Sequence, residues 1–297
     1  MMSKKTITVL TPTYNRANLL SNCYQSLVAQ TCKDFNWLIV DDGSNDNTKE
    51  VVESFYKEKA IDIKYLFKPN GGKHTALNLG ISKTSDELIL ILDSDDVLAE
   101  NAIKVVLNYH QKYRDSNIQL CGYSFLKATM DGKVIGDMHA NSEEIDDFIN
   151  MRINKKITGD KCEVFYTSIL KDYPFPVFDN EKFLGESVVW IPMALKYKMV
   201  FINEPIYQCE YLEEGLTKSG RKLRISCPKG GMCYAKLNLL KEFKLLHRIK
   251  YGILYNTYSY FAKETILDIV HLKEHMPLLL LTRPFGYLIY LLWKKNK

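Results

Sequence analysis

The stretch that most limits what this chain can fold into is LILILDSDDVLAEN, residues 88–101. Its first five residues, Leu88 to Leu92, are aliphatic without alternation, the pattern of a strand buried on both faces. A strand of that kind lies inside a sheet with helices on either side, which means a parallel or mainly parallel sheet. The run then changes character in one step. Asp93, Ser94, Asp95 and Asp96 crowd three carboxylates where strand becomes loop.

Three further β-rich apolar runs precede it: ITVL (7–10), NWLIV (36–40) and IDIKYLF (61–67). Helical spacing fills the gaps between them. Leu19, Leu20, Cys23, Leu27 and Val28 make one apolar face, and Val51, Val52, Phe55 and Tyr56 another; helices are also predicted over 73–82 and 102–113. Strands alternating with helices build βαβ crossovers, so the predicted class is α/β, a Rossmann-like, mainly parallel central sheet flanked by helices. Regularity fades after residue 115. IQLCGYSFLKA predicts a strand, followed by an Asp131-Gly132 turn and a KVIGD return. SVVWIPMALKYK predicts a helix with Pro192 in its first turn or at a kink, and MVFI a late strand. From about residue 230 the Leu/Tyr/Lys-rich segments predict a helical C-terminal extension.

The 297 residues allow one large domain plus an appendage, with 1–220 read as the α/β domain and 221–297 as a basic, mostly helical region. Hydrophobic content of 46% with 25% charged residues is that of a globular protein able to build a sizeable core. Charge is uneven: from Lys218 to Lys250 there are ten Lys or Arg against one acid, Glu242. No reader motif for nucleic acid accompanies these residues, so no nucleic-acid partner is expected. They suit a solvated helix face, an anionic acceptor or anionic lipid. Seven scattered cysteines form no CxxC or Cys/His cluster, which fits a reduced cytoplasmic protein without structural zinc. The apolar run before Pro12 is too short for a signal-peptide core, so no secretion signal is expected.

In open parallel sheets, ligands bind outside the carboxyl ends of the strands. Three such ends are polar here: Thr11 to Arg16 after the first strand, Asp41 to Ser44 after the second, and Asp93 to Asp96 after the fourth. Taken singly, DDGSNDNT and DSDD are turn and helix-capping chemistry. Taken together at βαβ spacing, they bring five aspartates to one edge, and a hard divalent cation is the economical way to offset them. His74, beside two glycines and a lysine at a predicted helix start, fits either a phosphate contact or a buried or capping role.

The segments TPTYNRANLL, VDDGSNDNT, NGGKHTALNLGI and LILDSDD, in that order, resemble the family 2 glycosyltransferases of GT-A fold, closely over about the first 100 residues. A looser likeness in FLGESVVW and EYLEEGLTKSGR extends to about residue 225. The resemblance implies an inverting transfer of sugar from a nucleotide-diphospho-sugar, UDP-linked by expectation, to a hydroxyl of a glycan or lipid-linked acceptor in cell-surface polysaccharide synthesis. It also implies a divalent metal, Mn2+ or Mg2+. Asp93-Ser94-Asp95 falls on the family's Asp-x-Asp position, which assigns Asp95 and Asp93 to the metal, with Asp96 as alternative. Pro12, Thr13, Tyr14, Asp42, Asn70, Gly71, Lys73, Asp93 and Ser94 become donor-binding residues. Many relatives carry Glu-Asp at the start of a helix, with the Asp as base; here Ser187 holds that place. The base expected is therefore Glu186, with Asp179 and Glu181 in reserve.

Two other classes compete. A sugar-phosphate nucleotidyltransferase opens with a glycine-rich loop after its first strand, and TPTYNR has no glycine. A non-catalytic, glycosyltransferase-like binding subunit is opposed by the intact Asp93-Ser94-Asp95 and kept open by Ser187. The C-terminal run PLLLLTRPFGYLIYLLWKKNK, 277–297, is expected to associate with a membrane in plane or as a hairpin, because Arg283-Pro284 interrupts it and Trp293, Lys294, Lys295 and Lys297 suit an interface. The expected location is cytoplasmic, peripheral on the inner face of the cell membrane.

Overall fold

The computed structural model describes residues 4–209, 216–264 and 273–295. The chain divides into two compact units, Met1–Pro174 with Met193–Tyr211, and Phe175–Pro192 with Leu212–Lys297.

The first unit is built on one nine-stranded sheet. Its parallel half contains β1 (Ile7–Thr13), β2 (Phe35–Asp41), β3 (Ile63–Phe67) and β4 (Leu88–Ile91), in the order β3-β2-β1-β4. Every residue of β1 and β2 is buried, as the unbroken apolar runs require. The helices α1 (Ala17–Val28), α2 (Thr48–Glu58), α3 (Lys73–Lys83) and α4 (Ala102–Tyr113) follow these strands in turn. In α1 the buried positions Ala17, Leu20, Cys23, Tyr24 and Leu27 recur at helical spacing. Tyr24 stacks on Phe55 of α2 at 4.0 Å between centroids and lies 5.9 Å from Trp37 of β2. Each such ring pair contributes about 0.5–1.5 kcal/mol beyond its buried area. Close approach of α3 to β1 needs Gly80, where a Cβ would fall 2.3 Å from the Leu10 side chain.

The other half of the sheet departs from the predicted pattern. A strand not anticipated from sequence, β8 (Lys161–Tyr166), lies antiparallel between β4 and β6 (Leu120–Ala128). Beyond β6 comes β9 (Lys198–Gln208), parallel to it, which also pairs with the two-residue β5 (Val97–Leu98) and with β7 (Glu143–Asp146), both antiparallel. The expected KVIGD return reduces to one bridge, Ala128 to Val134. A π-helical turn at Ile149–Asn154 and the short α5 (Thr167–Lys171) complete this unit.

The helix α6 (Ser187–Ala194) contains Pro192 near its end, and the division between units falls within it. In the second unit follow α7 (Leu216–Ser226), α8 (Pro228–Leu237), α9 (Leu245–Ala262), a 3-10 turn at Lys273–His275, and α10 (Met276–Lys295). Gly252 meets Thr282, Asn256 meets Gly286, and Tyr260 meets Tyr290, each pair 30 residues apart, so α9 and α10 run parallel in close contact. Asn256 pins them, its amide donating to the carbonyl of Leu279 at 2.9 Å and to Thr282 Oγ1 at 3.0 Å.

The break expected at Arg283-Pro284 does not occur, and with it goes the hairpin. α10 runs through Pro284 because the proline and Leu280, whose carbonyl loses its N–H donor, both face outward. Its outer side is an apolar stripe of Leu280, Leu281, Phe285, Leu288, Leu291 and Leu292, all exposed. Lys294 and Lys295 end the helix; Lys297 lies outside the described residues.

Candidate active site

The parallel register brings the three polar strand ends together. Thr13 of β1 pairs with Asp41 of β2, which pairs with Phe67 of β3, while Leu10 pairs with Ile91 of β4. Continuing that register sets Asp93 beside Pro12. The loops after β1 and β2 are clasped. The Asn15 amide, in a left-handed conformation (φ 50°), donates to Ser44 Oγ at 2.9 Å, and the Asn45 amide donates to Asn15 Oδ1 at 2.8 Å. Pro12 and Thr13 are buried, and the Thr13 hydroxyl has no partner among the described residues. Tyr14 presents its ring outward, 44% exposed.

Asp42 is almost wholly buried and fully occupied. Its carboxylate receives Lys68 Nζ at 2.5 Å and the amides of Gly71 at 3.0 Å and Gly72 at 2.6 Å, plus Asn70 Nδ2 at 3.0 Å. It therefore shapes the Asn70-Gly71-Gly72 turn that starts α3. The turn passes so close to Gly43 (φ 85°) that a Cβ there would lie 2.7 Å from the Asn70 amide nitrogen. His74 is buried, and burial holds its ring below the ordinary imidazole range. Of its two sequence readings, the described geometry fits the buried one.

At the end of β4 the carboxylates differ from one another. Asp93 is half-buried and paired with Lys73 Nζ at 2.5 Å. Burial alone would raise its pKa, but Lys73 and then Lys127 outweigh that and hold it below the usual range. Asp96 is buried, accepts the Tyr207 hydroxyl at 2.7 Å and lies 4.0 Å from Lys127 Nζ. Burial, then the Asp93 charge, push it up to about 7. Tyr207 also accepts the Asp93 backbone amide at 3.0 Å, and Lys127 sits 3.7 Å above its ring. Ser94 is buried; Asp95 projects into solvent.

Crowding of carboxylates at this edge is thus met in part by three lysines, and sequence reasoning missed two of them, Lys68 and Lys127, together with Tyr207. A signal for Lys127 existed: it is a lone charge in the apolar run of β6. Among the described residues no group of three or more His, Cys, Asp or Glu side chains gathers to enclose a metal. An exposed Asp95 beside Asp93 still suits a hard cation, because Mg2+-like ions take one or two carboxylates and complete their shell with water and ligand phosphates.

In the second unit, the Glu186 carbonyl accepts the amides of Val189 and Trp190 and so opens α6, with Ser187 as its first residue. Glu181, one of the reserves for the base, is occupied elsewhere. Its two carboxylate oxygens take the amides of Lys229 and Gly230, each at 2.7 Å, capping α8. Asp179 is exposed.

Comparison with solved structures identifies the architecture as a GT-A glycosyltransferase fold. Staphylococcus aureus TarS residues 1–349 in complex with UDP-GlcNAc superposes with a TM-score of 0.65 at 18% identity, over 93% of this chain and 79% of that one. The mannosyltransferase PcManGT of Pyrobaculum calidifontis, in complex with GDP-Man and Mn2+, gives 0.57 at 17% identity, over 97% and 86%. The chain belongs to glycosyl transferase family 2, whose family model matches residues 8–169. Among curated relatives, an uncharacterized glycosyltransferase of Rickettsia conorii is 36% identical over 134 residues, 45% of this chain and 21% of that protein. The GalNAc(5)-diNAcBac-PP-undecaprenol beta-1,3-glucosyltransferase of Campylobacter jejuni is 29% identical over 207 residues, 67% of this chain and 62% of the relative. Glycosyltransferase GlyG of Streptococcus pneumoniae is 27% identical over 211 residues, 68% and 69%. The match therefore spans about a fifth of the Rickettsia protein and about two thirds of the other two.

Proposed function

We propose that this chain is an inverting, metal-dependent glycosyltransferase that moves a sugar from a UDP-linked donor to a hydroxyl of a glycan or lipid-linked acceptor in surface polysaccharide synthesis. The observation that carries the reading is the end of β4, where exposed Asp95 and half-buried Asp93 stand beside Lys73 and Lys127. Relatives and neighbours named for UDP-GlcNAc binding and for a PP-undecaprenol acceptor support the choice of substrates. A glycine-free TPTYNR at the end of β1 and membership of family 2 stand against nucleotidyl transfer.

In this mechanism Tyr14 flanks the base, and Asp42 shapes the turn of Asn70 and Gly71 against the nucleotide. Asp95 and Asp93 hold Mn2+ or Mg2+, which when bound offsets the charge that develops on the diphosphate leaving group. Lys73 approaches the same phosphates with a fixed positive charge. Glu186 takes the proton of the acceptor hydroxyl on the opposite face of the sugar. The outer stripe of α10, ending in Lys294 and Lys295, lies in the plane of the inner membrane surface and keeps the protein cytoplasmic and peripheral.

The deciding experiment is a thermal-shift series with UDP-GlcNAc and other nucleotide-sugars, with and without manganese. One UDP-sugar is expected to stabilise the chain only with the metal present; a flat response to all donors in manganese sinks the reading. In parallel, Glu186→Gln is expected to keep the donor shift and stop turnover, whereas normal turnover puts the base elsewhere. For the membrane contact, Leu281→Lys with Leu288→Lys is expected to abolish co-sedimentation with phosphatidylglycerol vesicles; unchanged pelleting removes α10 from that role.

A further inference from the structure

Within the second unit, Phe183, Leu184, Gly185 and Ser187 and the helices α7, α8 and α9 line a pocket of about 100 Å3 that opens to solvent. Its wall is mostly carbon, with Phe183, Leu184, Tyr234 and the ring of Tyr258 as the large contributors. Gly231 lets α8 lie directly on that ring, since a Cβ there would stand 2.8 Å from Tyr258 Cγ. Arg224 is the one charged residue of the lining, and it is exposed. Its guanidinium acts on the nearby Tyr258 hydroxyl, opposing the rise that burial imposes on that group, and Arg224 makes no ion pair with a carboxylate among the described residues. The nearby start of α8 adds no anion site of its own, because Glu181 already takes the amides of Lys229 and Gly230. Glu186 stands between two lining residues, Gly185 and Ser187.

This chemistry selects its occupant. A free sugar needs several hydrogen-bonding groups, and the wall offers few. A small aqueous anion needs more than one cation to overcome its hydration. An apolar wall with one guanidinium at its edge suits a molecule that is itself divided, a phosphate joined to a hydrocarbon chain. The same unit carries the exposed apolar stripe of α10, the kind of surface that meets lipid.

We propose that this pocket binds the phosphate-bearing head of an amphiphilic acceptor, with the phosphate on Arg224 and the first segment of the chain against Phe183, Leu184 and Tyr234. The proposal rests on the proposed function, in which the acceptor is lipid-linked.

The test uses the full chain and three soluble probes: farnesyl diphosphate, farnesol and inorganic pyrophosphate. Farnesyl diphosphate is expected to bind at least tenfold more tightly than either of the others. Arg224→Gln is expected to weaken farnesyl diphosphate about tenfold and leave farnesol nearly unchanged. Gly185→Val, at a position where a Cβ meets nothing within 4 Å, is expected to weaken both prenyl probes by obstructing the pocket. Equal binding by both variants and wild type overturns the proposal. So does pyrophosphate binding as well as farnesyl diphosphate, or phosphatidylglycerol micelles competing as effectively as the prenyl diphosphate. The UDP-GlcNAc thermal shift, run alongside, separates the two readings: its loss with farnesyl diphosphate binding retained counts against the donor site alone.

Discussion

Asp42 and Asp93 end two strands of one sheet, β2 and β4, with only β1 between them, and their surroundings are opposite. Asp42 is buried and saturated, its oxygens committed to Lys68, Asn70 and two glycine amides. Asp93 is half-buried, shares one lysine contact, and neighbours an exposed Asp95. A carboxylate whose lone pairs are all taken can only shape the chain around it. One with open valence facing solvent is able to receive a ligand. The contrast divides one acidic edge into a part that builds the turn and a part left open to solvent.

The strongest way to break this division is Asp95→Ala. If the open carboxylates act on the reaction, turnover is expected to fall about a thousandfold or more, with the unfolding midpoint nearly unchanged. A large loss of stability instead would make Asp95 a second Asp42. Next in size is Asp42→Asn, which leaves Lys68 without its charged partner and disturbs the Asn70-Gly71-Gly72 turn. Chemical denaturation is expected to register about 3 kcal/mol of lost stability, the low end for breaking a buried pair. A variant that keeps its stability and loses only donor affinity would move Asp42 into the ligand-contacting group.

A third buried group tests the premise that saturation is what makes burial tolerable. His139 packs on Phe201 at 5.3 Å, and neither ring nitrogen has a partner among the described residues. Burial, then Lys161, hold its pKa down to about 4. The folded state thus refuses a proton that the unfolded chain accepts near pH 6.5. Its contribution to stability is complete above pH 6.5 and is lost as pH falls toward 4, by about 2–3 kcal/mol. His139→Phe is expected to remove that part of the acid slope in denaturant titrations from pH 7 to 4. An identical slope in both proteins would show that His139 finds a partner in solution.

The parallel half of the fold was legible because its physics is local. Unbroken runs such as Leu88–Leu92 have no other stable setting than between two helical layers, and the Asp93 to Asp96 loop follows from where such a strand must end. The antiparallel half was not legible for the converse reason. KCEVFY of β8 is short and mixed, and EEID of β7 reads as loop; both become strands only because β4, β6 and β9 offer them partners. Pro284 misled in the same manner. A proline costs a helix about 3 kcal/mol when its lost hydrogen bond is buried, and the sequence does not say that Leu280 and Pro284 face outward. At the site, Asp95 and Lys73 were visible from motif position alone. Lys127 and Tyr207 reach it from β6 and β9, distant strands that only the folded sheet brings near.

The order in which the chain leaves the ribosome gives the inserted strand a further meaning. β4 presents its free edge as soon as residue 91 emerges, yet the strand that covers it begins at Lys161. At bacterial-to-eukaryotic synthesis rates those 70 residues take roughly 4–14 s. During that interval β6 is already made but must not dock on β4, because a gap one strand wide has to be kept for β8. A fragment stopped before residue 160 would retain the whole parallel half of the sheet with an unsealed aliphatic margin. Such a fragment would tend to associate through that margin, so a minimal soluble version of this protein has to extend past Tyr166.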